Sequence, residues 1–356
     1  MAMLALLGLA VLVVPAAQAA QVTINLTTNG LPVGGSKAAG YTWNMGAMNG
    51  LGVGTPAANV TIATPISATG AIYESSINFV ISGLPGPHLT AIKGFVSTPF
   101  PAAAVNALRA VGCSNNCGAA AGSYAVLGNS LATAATLQTS TDNGTVIGNI
   151  GIQALNLNGA SAFTGSATVT VSIVALDTTN GNTDTVTLAI TVNSQNAMRL
   201  ALSTGAAAPN CTVSPANNIG PYSINFGSVN GVGVTSSACV QTTGTNPVVY
   251  FTNYRVTPTW SGFTSGTNGT LTAYVSTDFV NNTFLKIREA ATSAGLTTNM
   301  STNAGAPQTL GTAGAIVSAT PLSRVLGVAV TPNNTFVPAG GGTSDSAVIT
   351  YTLMVP

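Results

Sequence analysis

Apolar residues alternate with threonine, serine or asparagine in many short runs along this chain. Alternation with a period of two, rich in β-branched residues and bounded by glycine, asparagine and proline, is typical of strands with one buried face. The clearest runs are residues 22–27, 167–174, 185–192, 270–275 and 347–355. Segments of helical character are few, and the best are residues 101–111 and 283–292. The pattern predicts an all-β protein made of β-sandwiches.

One peptide occurs twice, as YTWNMGAMNG at residues 41–50 and as YSINFGSVNG at residues 222–231. A later run, DTVTLAITV from Asp184, is echoed by DSAVITYTLMV from Asp345. Two landmarks in the same order predict two related domains in tandem. STGAAAPN, at residues 203–210, has the composition of a linker. The predicted organisation is a first domain over residues 20–202, a linker over 203–208 and a second domain over 209–356.

The Asn-Gly pairs of the doubled peptide predict turns with positive φ, with Met45 and Phe226 pointing into the two cores. The first copy carries the heavier apolar load, because it also contains Trp43 and Met48 and is followed directly by Leu51. Met-rich loops are common on adhesive surfaces, so the first copy is also a candidate for such a surface.

Charged residues make up only 4% of the 356 residues, and the formal net charge is +1. Without a basic cluster, we expect neither nucleic acid nor an anionic membrane surface as a partner. The opening MAMLALLGLAVLVVPAAQAA, with Ala-Gln-Ala at residues 17–19, predicts a signal peptide over residues 1–19 and hence an exported protein. An uncleaved membrane anchor is the alternative.

Export permits disulfides, and the four cysteines form two pairs that are close in sequence, Cys113 with Cys117 and Cys211 with Cys239. We expect both bridges. The single histidine, His88, and seven scattered acidic residues do not form a structural zinc pattern or a catalytic grouping. The sequence therefore predicts no metal, no cofactor, no catalytic residue and no enzyme. A hydrolase with two facing carboxylates stays open as the less favoured alternative.

Two stretches of the second half resemble a known family. CTVSPANNIGPYSINFGSVNG…SSACV from Cys211, and VPAGGGTSDSAVITYTLMVP at the end, are similar to the start and the close of the spore coat protein U domain. That domain is used by pilus subunits of the archaic chaperone–usher pathway. The resemblance implies two tandem immunoglobulin-like, pilin-type sandwiches, a bridge between Cys211 and Cys239, and a second sandwich that lacks its last strand and is completed by a donor strand.

Because the sequence stops at Pro356, directly after the run 347–355, we expect this run to form an uncovered edge. The residues expected to line the acceptor groove are Ala347, Ile349, Tyr351, Leu353 and Val355. In the family, a periplasmic chaperone supplies the missing strand first, and the N-terminal segment of a neighbouring subunit replaces it. An outer-membrane usher is a further partner.

Two-domain members of the pathway are typically tip adhesins. The resemblance therefore implies passage through the periplasm to a surface pilus, and attachment to an abiotic or host surface through uncharged apolar loops. Candidate loops are residues 45–53, 84–89 and 98–105, and the candidate adhesive residues are Trp43, Met45, Met48, Leu51, Leu84 and Phe100. The alternative that these loops pack internally is equally open.

A repeating shaft subunit is the main alternative function. It would need a free donor segment, for which QVTINLTT at residues 21–28 has suitable alternation through Val22, Ile24 and Leu26.

Overall fold

The computed structural model describes most of the chain after the predicted signal peptide. The described residues are 21–27, 33–64, 66, 70–84, 88–114, 120–140, 143–155, 163–205, 211–216, 220–233, 239–242, 246–264, 266–332 and 344–356. The predicted signal peptide at residues 1–19 lies outside them.

Residues 23–194 form two sheets that face each other. Their strands are β1 (Thr23–Thr27), β2 (Val33–Ser36), β3 (Gly40–Met48), β4 (Thr61–Ile62), β5 (Gly70–Ser82), β6 (Thr90–Thr98), β7 (Leu108–Cys113), β8 (Ala125–Val126), β9 (Ala135–Ser140), β10 (Gly144–Leu155), β11 (Gly165–Asp177) and β12 (Thr183–Ser194). One sheet has the order β1-β5-β10-β7-β8, with β4 also on β5, and the other has the order β2-β3-β12-β11-β6-β9. We call this unit the first sandwich.

Residues 197–354 form a second, smaller unit. Its strands are β13 (Ala197–Thr204), β14 (Val213–Ser214), β15 (Ser223–Ile224), β16 (Val240–Gln241), β17 (Val248–Ser261), β18 (Thr270–Thr277), β19 (Leu285–Ala290), β20 (Gln308–Thr309), β21 (Leu322–Val330) and β22 (Val348–Met354). Its sheets have the orders β13-β17-β21-β19, with β16 also on β17, and β20-β18-β22, and β14 pairs with β15. We call it the second sandwich.

The two sandwiches have separate cores. Among the described residues, strands β1–β12 pair only with one another, and so do strands β13–β22. The largest apolar cluster of the first sandwich extends from Val22 to Val192, and that of the second from Leu200 to Val355. The orders β1-β5-β10-β7 and β12-β11-β6 correspond to the two sheets of an immunoglobulin-like sandwich. The prediction of an all-β, immunoglobulin-like fold is confirmed.

Both helical predictions are wrong. Residues 101–107 form turns that lead into β7, and the segment 283–292 contains β19. In β19, Leu285, Ile287 and Glu289 alternate inward with a period of two, but a buried glutamate disguises that pattern in the sequence. The described residues contain three short 3₁₀ helices, Ala121–Ser123, Leu131–Thr133 and Ser293–Gly295, and no α-helix.

The chain passes into the second sandwich earlier than predicted. The backbone N–H of Gln195 still donates to the carbonyl of Met48 in the first sandwich, at 2.9 Å. Residues 197–204 then pair along their whole length with β17, because Leu200 and Leu202 pack against the second core. The segment 197–202 thus pairs with the second sandwich instead of the first, and residues 203–204 of the predicted linker are strand. Gly205 still donates its N–H to the carbonyl of Asn253 in β17, at 2.9 Å, and linker residues 206–208 lie outside the described residues.

Candidate functional site

The doubled peptide holds the same position in both sandwiches. The Asn44 side chain accepts the N–H of Gly46 at 2.9 Å, and that of Asn225 accepts the N–H of Gly227 at 2.8 Å. The hydroxyl of Tyr73 on β5 bonds both backbone groups of Asn49, at 3.0 and 3.1 Å. The hydroxyl of Tyr250 on β17 bonds both backbone groups of Asn230, at 3.2 and 2.9 Å. Residues 41–49 therefore correspond to residues 222–230.

A second shared feature shows which strand of the first sandwich β22 corresponds to. The pairing of β6 with β11 shifts register at Ser97, and the pairing of β18 with β22 shifts at Ser276. At each shift the serine hydroxyl donates across the ladder, from Ser97 to the carbonyl of Thr170 at 3.3 Å and from Ser276 to that of Val348 at 3.2 Å. Val348 therefore corresponds to Thr170, and β22 corresponds to β11.

This correspondence corrects the sequence comparison of Asp184 with Asp345. Asp184 lies in β12, whereas Asp345 precedes β22, the counterpart of β11. The two runs look alike because any strand with one buried face has the same period-two pattern, whatever its place in the sheet.

Among the residues that the structure describes, no strand of the second sandwich fills the position that β12 fills in the first. In the first sandwich, β12 pairs with β11 on one side, antiparallel, and with β3 on the other, parallel. In the described part of the second sandwich, β22 pairs with β18 alone. The segment 222–229, the counterpart of β3, contributes only β15, which pairs with β14.

In the first sandwich, β12 helps to bury three rows of apolar side chains, on β11, β3 and β1. The corresponding rows of the second sandwich are all partly exposed. Val169, Val171, Ile173 and Ala175 of β11 are at most 1% exposed. Their counterparts on β22 are partly exposed, and they are Ala347, Ile349, Tyr351 and Leu353. The next inward residue, Val355, is also partly exposed.

The same contrast holds for the other two rows. Trp43, Met45 and Met48 are buried, and their counterparts Ile224, Phe226 and Val229 are partly exposed. Ile24 and Leu26 of β1 are buried, and their counterparts Leu200 and Leu202 of β13 are partly exposed. We call the apolar cleft between β22, residues 222–229 and β13 the groove.

Side chains close the corresponding seam of the first sandwich. The N–H of Ile24 donates to the carboxylate of Asp184 at 2.7 Å, and that carboxylate also forms an ion pair with Lys37. The N–H of Leu26 donates to the hydroxyl of Tyr41 at 3.3 Å. The hydroxyl of Tyr222, the counterpart of Tyr41, is buried and has no hydrogen-bond partner among the described residues.

A buried polar cluster lies behind the groove. The hydroxyl of Tyr351 bonds that of Tyr254 at 3.1 Å, and the hydroxyl of Tyr254 donates to Glu289 at 3.2 Å. Arg324 holds both oxygens of Glu289, and Gln308 donates to one of them at 2.9 Å. Burial raises the pKa of the Tyr254 and Tyr351 hydroxyls, so both stay neutral across the physiological range. The cluster links β22 to the opposite sheet.

The candidate adhesive residues are core residues and not a surface. Their side chains are at most 5% exposed; they are Trp43, Met45, Met48, Leu51, Leu84 and Phe100. The pairing of β3 with β12 turns the alternate residues Trp43 and Met45 toward the core, and its register shift between Asn44 and Ala47 lets Met48 point inward as well. Among the described residues of the three candidate loops, the large aliphatic side chains that are exposed are Val53, Leu89 and Val105.

The three cysteines that the structure describes are disulfide-bonded. Cys211 and Cys239 form a disulfide with their Cα atoms 5.1 Å apart, and its sequence span encloses residues 222–231. Cys113 is buried in β7 and is disulfide-bonded, and its predicted partner, Cys117, lies outside the described residues.

Within the described residues, no group of three or more His, Cys, Asp or Glu side chains is placed to hold a metal ion. His88 Nδ1 lies 2.9 Å from the carboxylate of Asp177, which links the loop before β6 to the end of β11. The described part of the chain also contains no helix long and apolar enough to span a membrane.

No protein-family model matches the sequence, and neither does any curated protein. Three solved structures of pilus proteins are similar to this chain. The first is a pre-assembly complex of the chaperone CsuC with the tip adhesion subunit CsuE, from archaic chaperone–usher pili of Acinetobacter baumannii. It has 9% identity and a TM-score of 0.32, over 88% of this chain and 97% of that one.

The second is the CupB6 tip adhesin of Pseudomonas aeruginosa, with 11% identity and a TM-score of 0.26, over 94% and 95% of the two chains. The third is the CooA pilin subunit of enterotoxigenic Escherichia coli, with 11% identity and a TM-score of 0.25, over 49% of this chain and 99% of that one. Similarity at these TM-scores does not by itself assign a function.

Proposed function

We propose that this chain is an exported, non-enzymatic subunit of a surface pilus, and that its second sandwich accepts a β-strand from another polypeptide. The observation that carries the proposal is the unfilled position between β22 and residues 222–229, at the place where β12 completes the first sandwich.

A strand is the ligand that suits this position. An edge strand presents backbone N–H and C=O groups that a further strand can satisfy, and the half-exposed apolar rows offer sites for alternate side chains. On the pattern of β12, the incoming strand runs antiparallel to β22 and parallel to residues 222–229. It would carry apolar residues at alternate positions, as β12 does at Val186, Leu188, Ile190 and Val192. Full burial of each such side chain contributes about 1.5–3 kcal/mol.

The N-terminal segment favours a tip position over a shaft position. Residues 23–27 pair with β5, and Val22, Ile24 and Leu26 are buried in the first sandwich. Residues 21–27 are therefore already used inside their own sandwich and are not free to act as a donor strand. We propose the two-domain tip adhesin, with a complete first sandwich that contacts an abiotic or host surface.

On this proposal, the partners of the groove are a periplasmic chaperone during transit and a neighbouring pilus subunit in the fibre, and an outer-membrane usher is a further partner in assembly. The first sandwich would attach by exposed apolar side chains such as Leu89, which precedes β6. Leu89 lies at the end of the sandwich opposite to Ser194, where the chain leaves.

The sharpest test is to complete the second sandwich with a strand from the same protein. A copy of residues 178–195, the turn and strand that follow β11, is appended after Val355, which corresponds to Asp177. We expect the extended protein to be monomeric and its β22 amides to exchange slowly. We also expect the unfolding midpoint of the second sandwich to rise by about 10 °C or more.

The matched control is the same extension with Leu188→Asp and Ile190→Asp in the appended copy, which keeps the length but loses the apolar contacts. It should give no stabilisation. The proposal fails if β22 of the unextended chain is already as protected from exchange as β11 and the extension changes nothing.

A further inference from the structure

We propose that the neighbouring pilus subunit that inserts its strand in the fibre also packs its folded body against the second sandwich, on the exposed side chains of Val232 and Val280. We call this pair the exit patch. The inference rests on the proposed strand insertion, and it assigns a second surface to the same partner.

The direction of the incoming strand decides where the partner's body must lie. A strand that runs antiparallel to β22 ends beside the start of β22. In the first sandwich, Val192 of β12 pairs with Ala167, and the following Ser194 pairs with Met48. The counterparts of Ala167 and Met48 are Asp345 and Val229, so the incoming strand leaves the groove between these two residues.

The exit patch flanks this opening on both sides. On one side, the carboxylate of Asp345 accepts the N–H groups of Val280 and Asn281 at 3.0 and 2.9 Å, which fixes Val280 beside the start of β22. On the other side, Val232 follows Val229 by three residues, directly after the turn at Asn230.

Both valines are unusually open to solvent. Val280 is 89% exposed and Val232 is 75% exposed, the highest values among the large apolar side chains that the structure describes. Leu51, the counterpart of Val232 in the first sandwich, is only 2% exposed. Exposed aliphatic side chains on both sides of one opening are expected where a partner covers them.

The chain itself shows that a folded body can follow a completing strand at once. β12 completes the first sandwich, and β13 of the second sandwich begins only two residues later, after Gln195 and Asn196. A partner built in this way brings its own body directly to the opening, within reach of Val232 and Val280.

The first test separates body contact from strand binding. The full chain with Val232→Asp and Val280→Asp is compared with the unchanged chain and with Val317→Asp. Val317 is 52% exposed and lies at the other end of the second sandwich, next to Ser318, which bonds Trp260. We expect incorporation into surface fibres of producing cells to fall by about tenfold for the double variant, and to be unchanged for Val317→Asp.

The appended copy of residues 178–195 serves as the strand probe. We expect the double variant to be stabilised by it as much as the unchanged chain, because the groove is intact. The inference is overturned if the double variant loses both its incorporation into fibres and its stabilisation by the appended strand. It is also overturned if the double variant is fully incorporated. A probe that stabilises none of the proteins would instead overturn the proposed function.

The second test identifies the occupant. A photoreactive residue is placed at position 280 in one variant and at position 352, on the exposed face of β22, in another. Cross-links formed in assembled fibres should reach one and the same polypeptide, with position 352 joined to its inserted segment and position 280 to its folded body. Cross-links to two different proteins, or none from position 280, would overturn the inference.

Discussion

Tyr351 joins the groove to the buried polar cluster of Tyr254, Glu289 and Arg324. The described residues of the first sandwich contain no counterpart of this cluster. By strand register, Glu289 and Arg324 correspond to Gly112 and Gly148. In the first sandwich, the side chain of Leu137 lies 2.5 Å from where a Cβ on Gly112 would be, and that of Phe79 lies 2.5 Å from where a Cβ on Gly148 would be. These two apolar side chains occupy the space that the ion pair takes in the second sandwich. Buried ion pairs are weak sources of stability but costly to break. We infer that the cluster holds β22 in place through Tyr351 while its outer edge is uncovered.

Glu289→Gln tests the cluster. The change leaves Arg324, which is 7% exposed, without its counter-charge, and we expect the second sandwich to lose about 3–5 kcal/mol of unfolding free energy in urea titrations. The control on the same strand is Lys286→Ala, which breaks the more exposed Lys286–Asp278 pair and should cost less than about 1 kcal/mol. Equal effects of the two changes would show that the ion pair has no special role.

At the scale of elements, the runs of alternating residues predicted β11, β12, β18 and β22 within a few residues. The pairing partners of each strand could not be predicted in the same way, because the alternation of apolar residues in a strand does not indicate which strands lie beside it. That is why β22 was matched with β12 instead of β11. It is also why Trp43 and Met45 were candidates for a surface, although the parallel pairing of β3 with β12 buries them.

The groove itself was partly predictable. The five inward residues of β22 and the bridge between Cys211 and Cys239 were expected from the family resemblance. The contribution of β13 was not predicted, because residues 197–202 were assigned to the first domain and the residues from 203 onward look like a linker. Only the pairing with β17 shows a strand of the second sandwich. The Glu289–Arg324 cluster was missed because its two residues are 35 positions apart in sequence.

Ile349→Ala tests the groove as an element. Ile349 corresponds to Val171, which pairs with Leu188 of β12. In the unextended chain Ile349 is half-exposed, so its truncation should cost no more than about 1.5 kcal/mol of unfolding free energy. With the appended strand the same change should cost about 2–4 kcal/mol, because Ile349 is then buried.

A double-mutant cycle with Leu188→Ala in the appended copy should give a coupling energy of about 1 kcal/mol. Pairing Ile349→Ala with Val186→Ala of the native β12, in the other sandwich, is the control and should be additive within about 0.5 kcal/mol. A cost of Ile349→Ala that does not depend on the appended strand would place that strand outside the groove.

At the scale of the molecule, the two sandwiches share the main strands around the groove except at one position, which β12 fills in the first and no described strand fills in the second. The first sandwich includes its completing strand, and its edge N–H groups at Ile24 and Leu26 are satisfied by side chains. The second sandwich has half-exposed apolar rows at the same place. The two units should therefore unfold separately, with the second less stable until a strand is supplied.

The disulfide provides the test of this independence. Cys211 and Cys239 enclose residues 222–231, which form one wall of the groove, and their sequence separation is 28. In the chain-entropy account, closing such a loop stabilises by about 3–4 kcal/mol. In the variant with Cys211→Ala and Cys239→Ala, calorimetry should show a lower unfolding temperature for the second sandwich only. The appended strand should also stabilise this variant less, because that wall of the groove is no longer tethered. A single transition would show that the sandwiches unfold as one unit, and equal shifts of two transitions would show that their stabilities are coupled.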